Sequence, residues 1–278
     1  MNSAHATITG LHIYPVKSCR GISLAAAELT VRGLAHDREW MVVDTDGQFV
    51  TQRTLPRMAL IETVLTSDAL RLSAPGQSDA LELSLATRDL PLRRVRVWRD
   101  DCDALDEGSE AAEWLSAFLG KAVRMVRFDP AHRRLSDHQW TRGKDAENRF
   151  SDGYPVLVIS EESLEYLNSR LDVAVPMNRF RPNIVIRGIG PHGEDDNILL
   201  HGGGFEIRLV KPCARCSITT VEQMTAEAGK EPLVTLATYR RDAALGGVTF
   251  GMNGIVASHA DTPLAVGMRL AASKEITS

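Results

Sequence analysis

The chain is punctuated into short apolar runs by turn residues, and few stretches keep a helical period long enough to matter. Thr7 to Val16 alternates, with Ile8, Leu11 and Ile13 among its apolar positions, which predicts a half-buried strand. Ile22 to Thr30, Glu39 to Asp44, Met58 to Leu65, Ala69 to Leu72, Leu81 to Leu85 and Arg93 to Trp98 read the same way. Thr45-Asp46-Gly47 is a hairpin signal leading into Gln48 to Gln52. Such a density of short strands predicts a barrel or sandwich. At 278 residues the chain exceeds the usual size of one core, which favours two lobes.

Helical signals are sparse. Ser109 is a candidate N-cap for Glu110 to Leu119, and Gly120 a candidate C′ residue. Lys121 to Phe128 reads as a strand, and the charged, aperiodic stretch Ala131 to Arg149 as a long surface loop. Val156 to Ile159 reads as a buried strand, followed by Ser160 capping a helix from Glu161 to Leu171. Asn183 to Arg187, Phe205 to Val210, Val248 to Ser258 and Leu264 to Leu270 complete the strands, and Glu231 to Arg241 is helix-like. The expectation is a β-rich α+β protein, divided into residues 1–125 and 126–278.

The densest chemistry lies in Lys211-Pro212-Cys213-Ala214-Arg215-Cys216. Proline cannot donate to a ladder, so the strand is expected to break at Pro212 and leave both thiols in a turn before a second strand-like run. A thiolate there has Arg215 as a cationic neighbour and suits soft metals. A zinc site would want a second pair of ligands, whereas Cys19 and Cys102 are isolated. A redox pair would want a helix after the motif. The bland alternative is two small buried hydrophobes.

Other polar clusters stand at strand ends. Lys17-Ser18 follows Tyr14-Pro15, Arg38 opens a strand, and Arg179-Phe180-Arg181-Pro182-Asn183 precedes another. Arginine forks suit phosphate, although each cluster could equally be a solvated loop or an ion pair. Phe250-Gly251-Met252-Asn253 offers a glycine-flanked amide. Net charge is −4, which argues against a broad nucleic-acid footprint. The N-terminus lacks a basic and apolar leader pattern, and no apolar run nears a membrane span, so a cytoplasmic location is expected. Phosphate-loop, dinucleotide, serine-hydrolase and zinc-protease motifs are missing from the sequence.

Leu11 to Gly21 and His36 to Val42 resemble the N-terminal β-barrel domain of MOSC proteins. Asn178 to Val185, Cys213 to Cys216 with Thr219-Thr220-Val221, and Val248 to Gly251 resemble the MOSC domain itself. The resemblance covers nearly the whole chain and extends to amidoxime-reducing components. It implies a MOSC β-barrel with flanking helices, an N-terminal β-barrel-like domain, and a molybdenum cofactor (molybdopterin). Cys216 would be the metal ligand and catalytic centre, with Cys213 behind it. Lys17, Ser18, Arg38, Tyr154, Arg181, Asn183, Ala214, Arg215 and Asn253 would contact the cofactor. Gly153-Tyr154 replaces the family's threonine–serine pair, and Asn253 stands where a tyrosine is expected.

The implied activity is reduction of N-hydroxylated compounds, such as amidoximes and hydroxylamines, to amines or amidines and water, a detoxification chemistry. Electrons would come from a separate protein of ferredoxin/flavoprotein or cytochrome b5 type. A fused iron–sulfur domain and a membrane anchor, present in some relatives, are not expected from this chain's ends. The alternatives are a non-catalytic carrier of the cofactor or of sulfur, and a zinc module.

Overall fold

The computed structural model describes residues 4–86, 89–196, 198–259 and 263–274. Its main feature is a ring of strands. Ala4–Ile13 pairs antiparallel with Ile184–Arg187 on one side and Arg269–Lys274 on the other. The ring continues through Ile198–Gly202, Phe205–Ala214 and Gly247–Ser258. Val156–Ser160 then closes it, antiparallel to Gly247–Ser258 and parallel to Ile184–Arg187. Closure leaves no free edge among these seven strands. The ring crosses the sequence division at residues 125/126, because Ala4–Ile13 joins strands that all lie between residues 156 and 274.

The alternation of Ala4–Ile13 changes phase on the way. Ala6 and Ile8 point into the core, then Leu11 and Ile13 do. The register shift between Ile8 and Gly10 supplies the extra residue, as a bulge must when the side-chain period is two. These residues meet Val156, Val158, Ile184, Ile186, Leu209 and Met252 inside the ring. Val156–Ser160 is buried on both faces: Leu157 and Ile159 pack outward against Leu167, Phe180 and Phe250.

The remaining strands form a second unit. Leu92–Val97, Asp100–Asp106, Val123–Phe128 and Trp40–Asp44 make a four-stranded sheet, and Glu62–Leu65, Ala69–Ser73 and Leu81–Ser84 a smaller one. The helix Ser109–Leu119 fills the space between them with Ala111, Leu115 and Phe118. The protein is thus β-rich α+β with a closed barrel, as the strand density predicts.

Several elements differ from expectation. Met58 to Leu65 is not one strand: Pro56 starts a 3-10 turn, Pro56–Leu60, before Glu62–Leu65 begins. Ile22 to Thr30 divides into three short strands. Asp100–Asp106 is an unexpected strand, since aspartate has low strand preference. It is laddered on both sides and buries Cys102 and Ala104, and cross-strand arginines face its aspartates: Arg94–Asp103 and Arg96–Asp101 at 2.7 Å, Arg93–Asp106 at 2.6 Å. Gly108, not Ser109, is the N-cap of its helix, whereas Gly120 takes the left-handed C-cap conformation. Ser160 does cap its helix, which ends at Asn168 rather than Leu171. The Glu231 to Arg241 helix shrinks to Leu233–Leu236, which begins just after Pro232. Leu264 to Leu270 resolves into Leu264–Ala265 and Arg269–Lys274. The stretch 131–149 is not a plain surface loop: it buries Arg134, Ser136, Thr141 and Asn148 and carries the short helix His138–Thr141.

The strand at the cysteine motif does not break at Pro212. It runs from Phe205 to Ala214, with Pro212 opposite Met252 and register shifts on both sides of it. The bulges let the ladder pass a residue with no N–H. Cys213 therefore lies in the strand, and Ser217–Thr220 is a 3-10 turn rather than a second strand.

Candidate functional site

Where the barrel meets the N-terminal unit, the surface opens into a cleft. Lys17, Ser18, Arg38, Tyr154 and Arg181 line it. So do Asn183, Ala214, Arg215, Cys216 and Asn253. All ten residues singled out from the sequence are therefore gathered at one place, although they span more than two hundred positions.

Local backbone explains the convergence. Ser18, Arg38 and Arg181 all have positive φ, at 68°, 46° and 57°. Left-handed non-glycine residues cost of order 1–3 kcal/mol each and persist only where surroundings over-determine them. Gln52 Nε2 donates to Ser18 O at 2.7 Å, and Gln52 pairs in turn with Gln223. Arg38 N donates to Tyr14 O at 2.9 Å. Arg181 Nη1 donates to Cys19 O at 2.7 Å. These contacts hold three strained turns against the cleft, and the Arg181–Cys19 bond joins segments 162 residues apart.

Tyr14 lies between two guanidiniums: Arg38 is 4.3 Å and Arg181 4.1 Å from its ring centre. Burial pushes the Tyr14 phenol up to about 12, against the pull of Arg181 and Arg38. Burial also lowers Arg181 to about 10, with Arg38 acting in the same direction. Arg38 is neutralised by a two-pronged contact to Asp37 at 2.7 and 2.6 Å. Lys17 reaches Phe150 O at 2.7 Å and Asp152 Oδ1 at 2.6 Å. Burial lowers the Lys17 ammonium and Asp152 partly restores it. Burial would raise the Asp152 carboxyl, but Lys17 and the Trp98 indole outweigh that and hold it below the usual carboxylate range.

Among the described residues, three buried polar atoms on this cleft have no hydrogen-bond partner: Arg181 Nη2, Arg215 Nε and Tyr154 Oη. A buried donor left unmet costs about 1–3 kcal/mol. Two of them belong to cations, so the cleft fits an anionic ligand bearing hydrogen-bond acceptors. Asn183 is different. Its Oδ1 accepts from Leu157 N at 3.1 Å and its Nδ2 donates to His12 O at 3.2 Å. It lines the cleft while stapling two barrel strands.

The thiols divide their roles. Arg215 Nη1 lies 2.9 Å from Cys213 Sγ, and its Nη2 donates to Phe180 O at 2.6 Å. The guanidinium expected beside a ligand thiolate thus engages Cys213 and pins the motif to the Arg179–Arg181 segment. Cys216 opens the 3-10 turn, its carbonyl accepting from Thr219 N and Oγ1. Both thiols are partly exposed, while Cys19 and Cys102 are buried, with burial raising them to about 12 and about 11. Among the described residues no three His, Cys, Asp or Glu side chains converge. A metal held at Cys216 would need its other donors from a ligand.

Sequence reasoning missed Tyr14, Arg53, Trp98, Asp152 and Phe180. Trp98 and Arg53 come from the N-terminal unit and reach the cleft only through tertiary packing. Tyr14 carried a local signal, since it directly precedes Pro15-Val16-Lys17.

Residues 5–122 match the MOSC N-terminal beta barrel domain, and residues 145–270 the MOSC domain. Mitochondrial amidoxime-reducing component 1 of Mus musculus is 42% identical over 84% of this chain and 71% of its own length. The Homo sapiens component 1 is 39% identical over 84% of this chain and 72% of its own. The Homo sapiens component 2 is 35% identical over the same shares. The chain therefore belongs to the MOSC family, in the group of two-domain members that includes the amidoxime-reducing components.

Proposed function

We propose that the protein is an oxidoreductase that holds a molybdenum cofactor and reduces N-hydroxylated compounds to amines or amidines and water. One observation carries the reading: unpartnered guanidinium nitrogens and a buried lysine converge with an accessible thiol on one cleft. Cys216 would bind the metal through its thiolate, since a soft ligand suits it. Arg181 Nη2 and Arg215 Nε would meet the acceptors of the anionic pterin phosphate, beside Lys17 and Arg38, whose charges Asp152 and Asp37 balance. Ser18 and Ala214 line the same cleft. The bound group supplies two electrons to the substrate. The net change is R–NHOH plus two electrons and two protons to R–NH2 and water.

The names of the relatives support the substrate class, and the cationic lining supports the cofactor. Electrons would be delivered by a separate donor protein, of ferredoxin/flavoprotein or cytochrome b5 type, in the cytoplasm. Dye-driven turnover tests the reading on protein from a host able to make the cofactor. Benzamidoxime should become benzamidine, and Cys216→Ala should abolish the reaction. Cofactor bound without turnover would instead identify a carrier.

A further inference from the structure

Leu92–Val97 and Asp100–Asp106 form a hairpin whose closing pair is Val97 opposite Asp100. Its turn has two residues, Trp98 and Arg99. Trp98 has φ +57°. The first central position of a two-residue turn with positive φ there is ordinarily glycine, and a bulky residue in that region is an outlier. A large aromatic in that place is also costly to leave wet, yet Trp98 is 44% exposed. It lines the rim of the cleft.

The ring is held on two sides. Its Nε1–H donates to Asp152 Oδ1 at 3.0 Å, the same oxygen that Lys17 engages. Arg53 stacks on it at 4.3 Å and Phe49 leans on it at 5.1 Å. Arg53, like Trp98, lines the cleft. A strained, solvent-facing indole fixed in orientation at a pocket mouth is a rigid stacking surface. Such a surface adds affinity at little entropic cost.

We propose that Trp98 is a specificity-determining residue that stacks the planar, π-conjugated part of the substrate and so favours aryl amidoximes and N-hydroxylated bases over small saturated hydroxylamines. This rests on the N-hydroxy-reductase reading, and Trp98 acts on binding rather than on the N–O cleavage.

The test is steady-state kinetics of the holoenzyme with an artificial reductant, so that no protein donor contributes. Benzamidoxime and N-methylhydroxylamine are compared in wild type, Trp98→Ala and Trp98→Phe, with thermal melts as folding controls. Trp98→Ala should raise KM for benzamidoxime about tenfold, as expected for loss of one stacked ring, with kcat within about twofold. KM for N-methylhydroxylamine should stay within about twofold in the same variant. Trp98→Phe lacks the indole N–H but keeps a ring, and should restore the benzamidoxime KM. Benzamidoxime should also quench the wild-type indole emission, and much less so in Trp98→Phe. Equal KM changes for both substrates, or none, would overturn the proposal while leaving the reductase reading intact. So would Trp98→Phe behaving like Trp98→Ala, which would assign the effect to the Asp152 hydrogen bond. If wild type reduces neither compound the reductase reading fails, and the fluorescence titration alone decides: no quenching would sink the stacking role as well.

Discussion

Arg181 shows how single residues set the character of the cleft. It is buried beside Arg38, and its lowered proton affinity, to about 10, means that the folded protein disfavours its charge. Its hydrogen bond to Cys19 O and its stacking on Tyr14 offset part of that cost. A buried charge with incomplete compensation is often replaced by an apolar group of similar size without loss. Arg181→Met should therefore leave the melting temperature of cofactor-free protein unchanged or raise it, while the pterin retained on purification falls sharply. A drop of more than about 3 kcal/mol in a urea titration would contradict this, since losses of that size mark a broken buried pair. At this scale the sequence was informative because every cation of the site follows or precedes a strand break, such as Lys17 after Pro15 or Arg181 before Pro182. It was silent on which polar atoms go unpaired, because that depends on packing between distant segments.

Elements explain why the cysteine motif sits at the cleft. Phe205–Ala214 and Gly247–Ser258 stay paired past Pro212 through successive bulges, and the partner strand needs Gly251 to do so. Gly251 has φ +75°, and a Cβ there would lie 2.5 Å from Ile159 Cγ1 and 2.9 Å from Val158 O. Gly251→Ala should cost about 2–4 kcal/mol from strain and overpacking. Gly246→Ala, also at positive φ (+65°) but with nothing within 4 Å, should cost only about 1 kcal/mol. Urea denaturation of the pair measures the difference. Alternating and β-branched runs were readable as strands. Asp100–Asp106 was not, because aspartate has low strand preference and what holds the strand, its ladders to Leu92–Val97 and Val123–Phe128 and the core contacts of Cys102 and Ala104, is tertiary. The Glu231 to Arg241 pattern holds only over Leu233–Leu236, with Pro232 at the N-cap setting its start.

For the whole molecule, the two units are tied through the cleft. Gln52–Gln223, Arg181–Cys19 and Lys17–Phe150 all bridge distant parts of the chain. Unfolding should follow one transition by both far-UV circular dichroism and tryptophan fluorescence, and two separated transitions would contradict this coupling. Two of the shifted groups illustrate its pH dependence. Burial, with Arg240 nearby, lowers His192 to about 4, so the unfolded chain binds more protons between about pH 4 and 6.5. Stability is thus fully present above about pH 6.5 and is lost as pH falls toward 4. His192→Asn, which tolerates the left-handed backbone there (φ 57°), should flatten that limb in melts across the range. Burial would raise Asp106, but Arg124, the Gly108 amide and Arg93 hold it at about 2. Its contribution is present above about pH 4 and disappears toward pH 2. The β-rich class and the convergent turns were legible in the sequence. The crossing of the first strand into the barrel was not, since strand order is fixed by long-range pairing.

The most direct test is metal and pterin content. Wild-type protein and Cys216→Ala, both produced in a host that makes the molybdenum cofactor, should be compared by mass spectrometry for molybdenum and by fluorescence for released pterin. Near-stoichiometric molybdenum and pterin in wild type, with the metal lost in Cys216→Ala, is the expected result. Wild-type protein carrying neither would contradict the central claim and leave the Cys213–Cys216 motif a structural or redox element.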